Sequence, residues 1–285
     1  MIPRILHYVW VGGRPLPEKT RINIETWSRF CPDFEIKSWT DDNVSFAHPY
    51  LARCRALGNW ANASNYLRLV KLLAHGGVYL DTDIMLRRPL TPMLRDRCFL
   101  GFQVEVQEND WVNNAVFGAE PGHWFVELCR QRLLEAHDGS EPANFSSPRL
   151  VTRLLIERGL TAYRAGGVTV GDVHVYPRPV FYPYSWREEF TLAAIKPETT
   201  TVHFWEKSWH TEPGASPESA PRTALERLEL KHHRLIRDAV LAVKPLRERG
   251  GRLRGLVDRL HRLVSPGARA VGRFGLVVAA LWMAR

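Results

Sequence analysis

Strand-like and helix-like segments alternate through residues 1–90, and that alternation restricts the chain more than any other feature. The run RILHYVWVGG begins β-prone and halts at Gly12-Gly13, where a turn is expected. PEKTRINIETWSRFCP reads as a helix with Pro17 near its start and Pro32 beyond its end. FEIKSW alternates as a strand does. In NASNYLRLVKLLAHGG, Tyr66, Leu69, Val70 and Leu73 recur at helical spacing ahead of a glycine stop. VYLDTDIML then reads as one strand. Strand, helix, strand, helix, strand is the pattern of an α/β sheet.

Further along, CFLGFQVE and NNAVFGAE read as strands, and GHWFVELCRQRLLEAH and SSPRLVTRLLIERG as helices. VHVYPRPVFYPY carries too many prolines for a central strand and is expected at an edge or in a loop. TVHFWEKSWH reads as a short aromatic strand and loop. A Pro-, Ser- and Gly-rich stretch at 213–222 is the expected linker, which divides the chain into a domain over 1–212 and a tail over 223–285.

Charge separates the same two parts. Residues 222–285 hold 15 Lys and Arg against 5 Asp and Glu, while the whole chain stands at +9, so the body ahead of them is close to neutral. Within the tail, Leu253, Leu256, Val257, Leu260, Leu263 and Val264 fall on one helical face and most arginines elsewhere. A basic amphipathic helix of this kind reads as a binder of anionic membrane surfaces. A helical cap packed on the domain is the alternative. The aromatics do not interleave with the basic residues as a nucleic-acid stacking platform requires, so no nucleic-acid partner is expected. The four cysteines form no C-x-x-C pair, which argues against a zinc site or a disulfide framework and suits a reducing cytosol. No secretory h-region and no apolar run of spanning length is present, so a cytoplasmic protein attached peripherally to the inner membrane face is expected.

The segment GGVYLDTDIMLRRPL ends its apolar run on Asp81 and Asp83. An ionised carboxylate is costly to bury without a positive partner, so the two either face water at a strand end or hold a cation. On a continuous strand, i and i+2 point the same way, and both carboxylates then face one ligand. Hard oxygen donors at that spacing suit Mg²⁺ or Mn²⁺.

ANASNYLRLVKLLAHGGVYLDTD together with IPRILHYVWVGG, VNNAVFGAEPGH and HFWEKSW closely resembles the D-x-D-containing sugar transferases of the yeast initiating mannosyltransferase and bacterial capsule type, over roughly residues 1–210. The resemblance implies a GT-A-type, Rossmann-like mixed sheet flanked by helices, here with a C-terminal basic helical extension. It implies that Val9 and Trp10 hold the nucleotide base, and that Ser64 and Arg68, one helical turn apart, face ribose, sugar and diphosphate. Asp81 then contacts ribose and sugar hydroxyls, and Asp83 binds the metal directly. Asn114 corresponds to a position near the sugar or acceptor, and Ser208 and Trp209 to a loop closing over the diphosphate. Tyr79 either lines the pocket or belongs to the core. His203 is either a further metal ligand or a structural histidine. Relatives usually carry aspartate where this chain has Asn65, a residue expected to contact the donor sugar.

The function so implied is a retaining, metal-dependent transfer of a hexose from a UDP- or GDP-linked donor to a hydroxyl of a saccharide or lipid-linked saccharide, in surface polysaccharide or glycolipid synthesis. An inactive sugar-nucleotide-binding relative, marked by Asn65, is the alternative.

Overall fold

A strand whose residues are all buried lies at the centre of the protein. The computed structural model describes residues 1–206 and 224–242. The chain runs through β1 (Ile5–Val9), α1 (Glu18–Phe30), β2 (Glu35–Trp39), α2 (Pro49–Leu57), α3 (Trp60–His75), β3 (Gly77–Leu80) and β4 (Ile84–Leu86). It continues through β5 (Cys98–Phe102), β6 (Val112–Ala119), α4 (Trp124–Ala136), α5 (Pro148–Glu157), β7 (Val168–Val170), β8 (Val173–Tyr176), α6 (Arg178–Phe181), β9 (Thr201–His203) and α7 (Ala224–Ala242). Seven strands form a mixed sheet in the order β2-β1-β3-β6-β5-β8-β7, with helices on both faces, as the GT-A resemblance implies.

The core follows the strand period. Tyr79 of β3 points to the face covered by α2, α3, α4 and α5, whereas Val78 and Leu80 point to the face covered by α1 and α6. The Gly76-Gly77 pair makes the turn from α3 into β3. Both residues have positive φ, and a Cβ on Gly77 would lie 2.7 Å from the Ile5 carbonyl oxygen of the neighbouring strand.

The sequence reading of VYLDTDIML as one strand is corrected. β3 ends at Leu80, Asp81-Thr82-Asp83 form a turn closed by Ile84 N–H donating to the Asp81 carbonyl at 3.0 Å, and β4 leaves the large sheet to pair antiparallel with β9. Three residues on one face of α1 draw β4 away. Asn23 Nδ2 donates to the Thr82 carbonyl, Trp27 Nε1 donates to the Ile84 carbonyl, and Thr26 Oγ1 accepts from Leu86 N–H. The aspartates therefore converge through a turn and not through strand alternation.

A second correction concerns VHVYPRPVFYPY. Val173–Tyr176 forms β8, flanked by β5 and β7, so it is neither edge nor loop. Its prolines all fall after the strand, where Pro177 ends it and no ladder donor is lost. The helix α2 was not foreseen. His48 caps it by accepting from Tyr50 N–H, and Pro49 sits at its first turn.

The segment expected as a tail begins with α7, which packs on the body. Val240 is fully buried against Met85 and Val202, the middle residues of β4 and β9. No described helix is long and apolar enough to cross a membrane. The expected linker at 213–222 and the remainder of the tail lie outside the described residues.

Candidate active site

The ends of five strands bring Val9, Trp10, Asp81, Asp83, Asn114 and His203 to one side of the fold. β1 and β3 run parallel, so Val9 and Trp10 leave the sheet on the same side as Asp81. β6 runs antiparallel to β3 with Leu80 opposite Val116, which places the beginning of β6 beside the acidic turn, and Asp81 N–H donates to the Ala115 carbonyl at 2.9 Å. β4 and β9 pair with Ile84 opposite His203, so the turn and the histidine stand next to each other.

Asp81, Asp83 and His203 each offer a ligand atom, and these atoms lie within 4.8 Å of one another. His203 Nε2 stands 3.1 Å from Asp83 Oδ1, and Asp83 Oδ2 accepts from the Glu206 backbone N–H at 2.8 Å. His203 Nδ1 is buried with no hydrogen-bond partner among the described residues. Two carboxylates and an imidazole are the donor set that Mn²⁺ or Mg²⁺ accepts with positions left for other oxygens. The residues present fit such an ion.

Arg68 sits beneath the turn. It is 3% exposed, and it donates to Asp81 Oδ1 at 2.7 Å, to the Asn114 carbonyl at 2.8 Å and to Ser147 Oγ at 3.3 Å. The guanidinium carbon lies 4.2 Å from the centre of the Tyr79 ring, and Tyr79 in turn exchanges a 2.8 Å hydrogen bond with Ser64. Tyr79 is 1% exposed, so it supports Arg68 from within the core and does not open onto a pocket. Burial works against the Arg68 charge, and the Asp81 carboxylate together with Tyr79 and Tyr182 more than offsets it, holding the guanidinium above its ordinary pKa. Asp81 itself is pushed above the usual carboxylate range, by burial first and then by Asp83, with Arg68 opposing. Positive charge arriving at the turn opposes this rise, as Arg68 does.

Asn114 turns its side chain inward, where Oδ1 accepts from Ser147 Oγ at 2.6 Å. Asn65 faces the same loop: its Nδ2 donates to the Ala143 carbonyl at 2.9 Å and to Ser146 Oγ at 3.2 Å. It is the last of three asparagines along α3. Asn59 Nδ2 donates to the Gly139 carbonyl, and Asn62 Nδ2 donates to the Gly139 and Glu141 carbonyls. This ladder fastens the 139–147 segment alongside α3 and delivers Ser147 to Arg68 and Asn114. An aspartate at 65 would set a carboxylate against a carbonyl oxygen, which explains why an amide stands there.

Trp10 is half-buried, with its Nε1 donating to the Arg14 carbonyl at 2.7 Å, and Val9 is in the core. Ser208 and Trp209 lie outside the described residues. The contributions of Asn23, Ser147, Trp205 and Glu206 carried no sequence signal. Trp205 has φ 56°, a left-handed turn that aims the Glu206 N–H at Asp83, and its ring lies 3.9 Å from that of His203. A cavity of about 540 Å³, lined by Glu108, Asp110, Asn144, Arg149, Trp186 and Arg187 among others, shares the 139–149 segment with Ser147.

Residues 17–100 match the model of the glycosyltransferase sugar-binding region containing the DXD motif, and residues 118–232 match that of the alpha 1,4-glycosyltransferase conserved region. An uncharacterized glycosyltransferase of Acanthamoeba polyphaga mimivirus is 28% identical over 53% of this chain and 63% of its own length. Human alpha-1,4-N-acetylglucosaminyltransferase is 25% identical over 71% of this chain and 59% of its own length. Inositol phosphoceramide mannosyltransferase 3 of Schizosaccharomyces pombe is 27% identical over 44% of this chain and 35% of its own length. The chain thus spans less than two thirds of each of these relatives. With both matched regions joined in one site around Asp81 and Asp83, the chain belongs to the glycosyltransferases whose sugar-binding region carries the D-x-D motif.

Proposed function

We propose that this protein transfers a hexose from a UDP- or GDP-linked donor to an acceptor hydroxyl with retention of configuration, using Mn²⁺ or Mg²⁺. The observation that carries this reading is the convergence of Asp81, Asp83 and His203 within 4.8 Å beside a buried arginine. Asp83 and His203 would hold the ion, with Asp81 at its side. A divalent ion bound there supplies positive charge to the departing diphosphate. Arg68 favours the ionised form of Asp81 and orients it, and Trp10 stands at the end of β1 where a flat aromatic suits a base. As the sugar C1–O bond to phosphate breaks, the acceptor oxygen bonds to C1 on the same face, and its proton passes to the released phosphate oxygen. Both carboxylates of the turn are committed to holding charge, which favours this front-face course over a glycosyl-enzyme intermediate.

For the acceptor, the cavity that shares the 139–149 segment with Ser147 presents Trp186, half exposed, together with carboxylates and amides, a lining that suits a sugar ring. The name of the inositol phosphoceramide mannosyltransferase supports a lipid-linked acceptor. The +10 balance of residues 222–285 supports attachment at an anionic cytoplasmic membrane face. The hydrogen bonds of Asn65 to Ala143 and Ser146 account for its departure from the usual aspartate and favour an active enzyme over an inactive relative.

The test is a screen of UDP- and GDP-hexoses for hydrolysis with Mn²⁺, with EDTA, and with Asp83→Asn. Turnover that requires Mn²⁺ and is lost in the variant is expected. Turnover that persists in EDTA defeats the metal-dependent reading, and detection of a glycosylated protein by mass spectrometry defeats the front-face course.

A further inference from the structure

The bonds to Arg68, Asn114 and Ser147 lie on one side of the acidic turn. On the other side stands α7, the helix that the sequence assigned to a separable tail. Asn23 of α1, fully buried, joins the two. Its Nδ2 donates to the Thr82 carbonyl at 3.1 Å, at the centre of the turn, and its Oδ1 meets His233 Nε2 of α7 at 3.0 Å. An amide satisfied at both ends has one orientation only, so the His233 N–H fixes which way the Asn23 amide faces and hence what the turn rests on.

Two other contacts run the same way. Lys19 lies 3.7 Å from Glu229 of α7 and 3.8 Å from Glu206, the residue whose backbone N–H binds Asp83. Ile236, Ala239 and Val240 of α7 cover the Met85–Val202 pair, which occupies the middle of the two-stranded β4–β9 sheet. That small sheet carries Asp83 at its entrance and His203 at its exit. Helix α7 is its floor.

We infer that α7 is a working part of the site, with His233 and Asn23 as positioning residues that set the Asp81-Thr82-Asp83 turn for metal binding. The inference rests on the metal-dependent reading above for its consequence, though the mechanical link does not. Outer-shell hydrogen bonds to ligand-bearing segments change metal affinity by about tenfold to a hundredfold when removed.

The test uses the full chain with His233→Ala, His233→Gln, Asn23→Ala and Asn23→Asp. Free Mn²⁺ is titrated by electron paramagnetic resonance without nucleotide, and amide hydrogen exchange is followed over residues 81–86. His233→Ala and Asn23→Ala are expected to weaken Mn²⁺ binding about tenfold and to speed exchange in the turn. His233→Gln, which restores an N–H donor, should recover both. Asn23→Asp, with no donor for the Thr82 carbonyl, should resemble Asn23→Ala. Circular dichroism checks that each variant is folded. A folded His233→Ala protein with wild-type exchange in the turn overturns the inference, as does a glutamine that fails to rescue. If the wild type itself binds no Mn²⁺, the metal reading fails, and the exchange data still decide the link between α7 and the turn.

Discussion

Arg68 and Asp81 meet at 2.7 Å, with the guanidinium buried and the carboxylate partly open to solvent. The arginine serves two further acceptors at once, the Asn114 carbonyl and Ser147. A lysine ammonium is a single point and cannot reproduce that fork. Arg68→Lys is expected to lower kcat by about tenfold to a hundredfold. Arg68→Ala should in addition cost about 2 kcal/mol in chemical denaturation, less than for fully enclosed pairs because Asp81 keeps some water. A lysine variant of wild-type activity would show that the fork is idle.

The identity of residue 65 gives a prediction with a sign. If Asn65 stood in for an aspartate that contacts the donor, Asn65→Asp would raise activity. The bonds to Ala143 and Ser146 predict the reverse. Loss of the donor removes the shorter of two hydrogen bonds to the half-buried Ala143 carbonyl, which Ser146 Oγ also reaches at 3.4 Å, and sets a carboxylate oxygen against it, at a cost of about 1 kcal/mol. Thermal denaturation should fall accordingly, and transfer should slow as Ser147 loses its support.

Trp186 tests the acceptor side. Arg187 covers it at 4.7 Å and is itself held by both oxygens of Glu108. Trp186→Ala is expected to raise the acceptor KM by about tenfold, as the loss of one aromatic contact of about 1.4 kcal/mol would do. Steady-state kinetics at saturating donor would read the change. An unchanged acceptor KM would move the acceptor elsewhere.

His7 predicts a response to acid. Its Nε2 bonds the Gly76 carbonyl at 2.8 Å, and its Nδ1 accepts from Trp39 Nε1 at 3.2 Å, so the neutral ring is satisfied at both nitrogens. Burial lowers its pKa from 6.5 to about 4, with His75 and Lys37 adding to the effect and the Gly76 bond opposing it. Because the folded state binds the proton less readily than the unfolded chain, this contribution is complete above about pH 6.5 and falls away toward pH 4. The loss amounts to about 3 kcal/mol. Urea unfolding of the wild type and of His7→Gln at pH 7.5 and pH 4.5 should show the smaller pH effect in the variant. Equal slopes would place the acid sensitivity in other groups.

Apart from α2, the order of strands and helices up to β3 was readable because apolar residues at helical spacing and β-prone runs between turn residues mark those elements locally. The acidic pair was readable as chemistry, since two carboxylates after an apolar run demand a partner. Its geometry was not. The break at Leu80 depends on β9, which lies far along the chain and offers no local mark. Helical spacing put Ser64 and Arg68 on one face but left open what stands opposite, and the structure supplies Tyr79, Asp81 and Ser147 there. Asn23 and Glu206 act through an amide and a backbone N–H, groups that periodicity does not single out. His203 was legible only through its place in HFWEKSW. Trp205, two residues later, was missed because a left-handed conformation at tryptophan has no sequence signature.

The antiparallel partnership of Ile84 with His203 carries a consequence for biosynthesis. Asp83 and the Glu206 amide that steadies it are 123 positions apart, so a growing polypeptide leaves the ribosome with the acidic turn long before its counterpart exists. Until then the turn has neither imidazole nor floor. The acidic site is thus completed only once residues 201–242 have emerged, and a chain terminated before them, however much of its large sheet has formed, would lack His203 and the Glu206 amide.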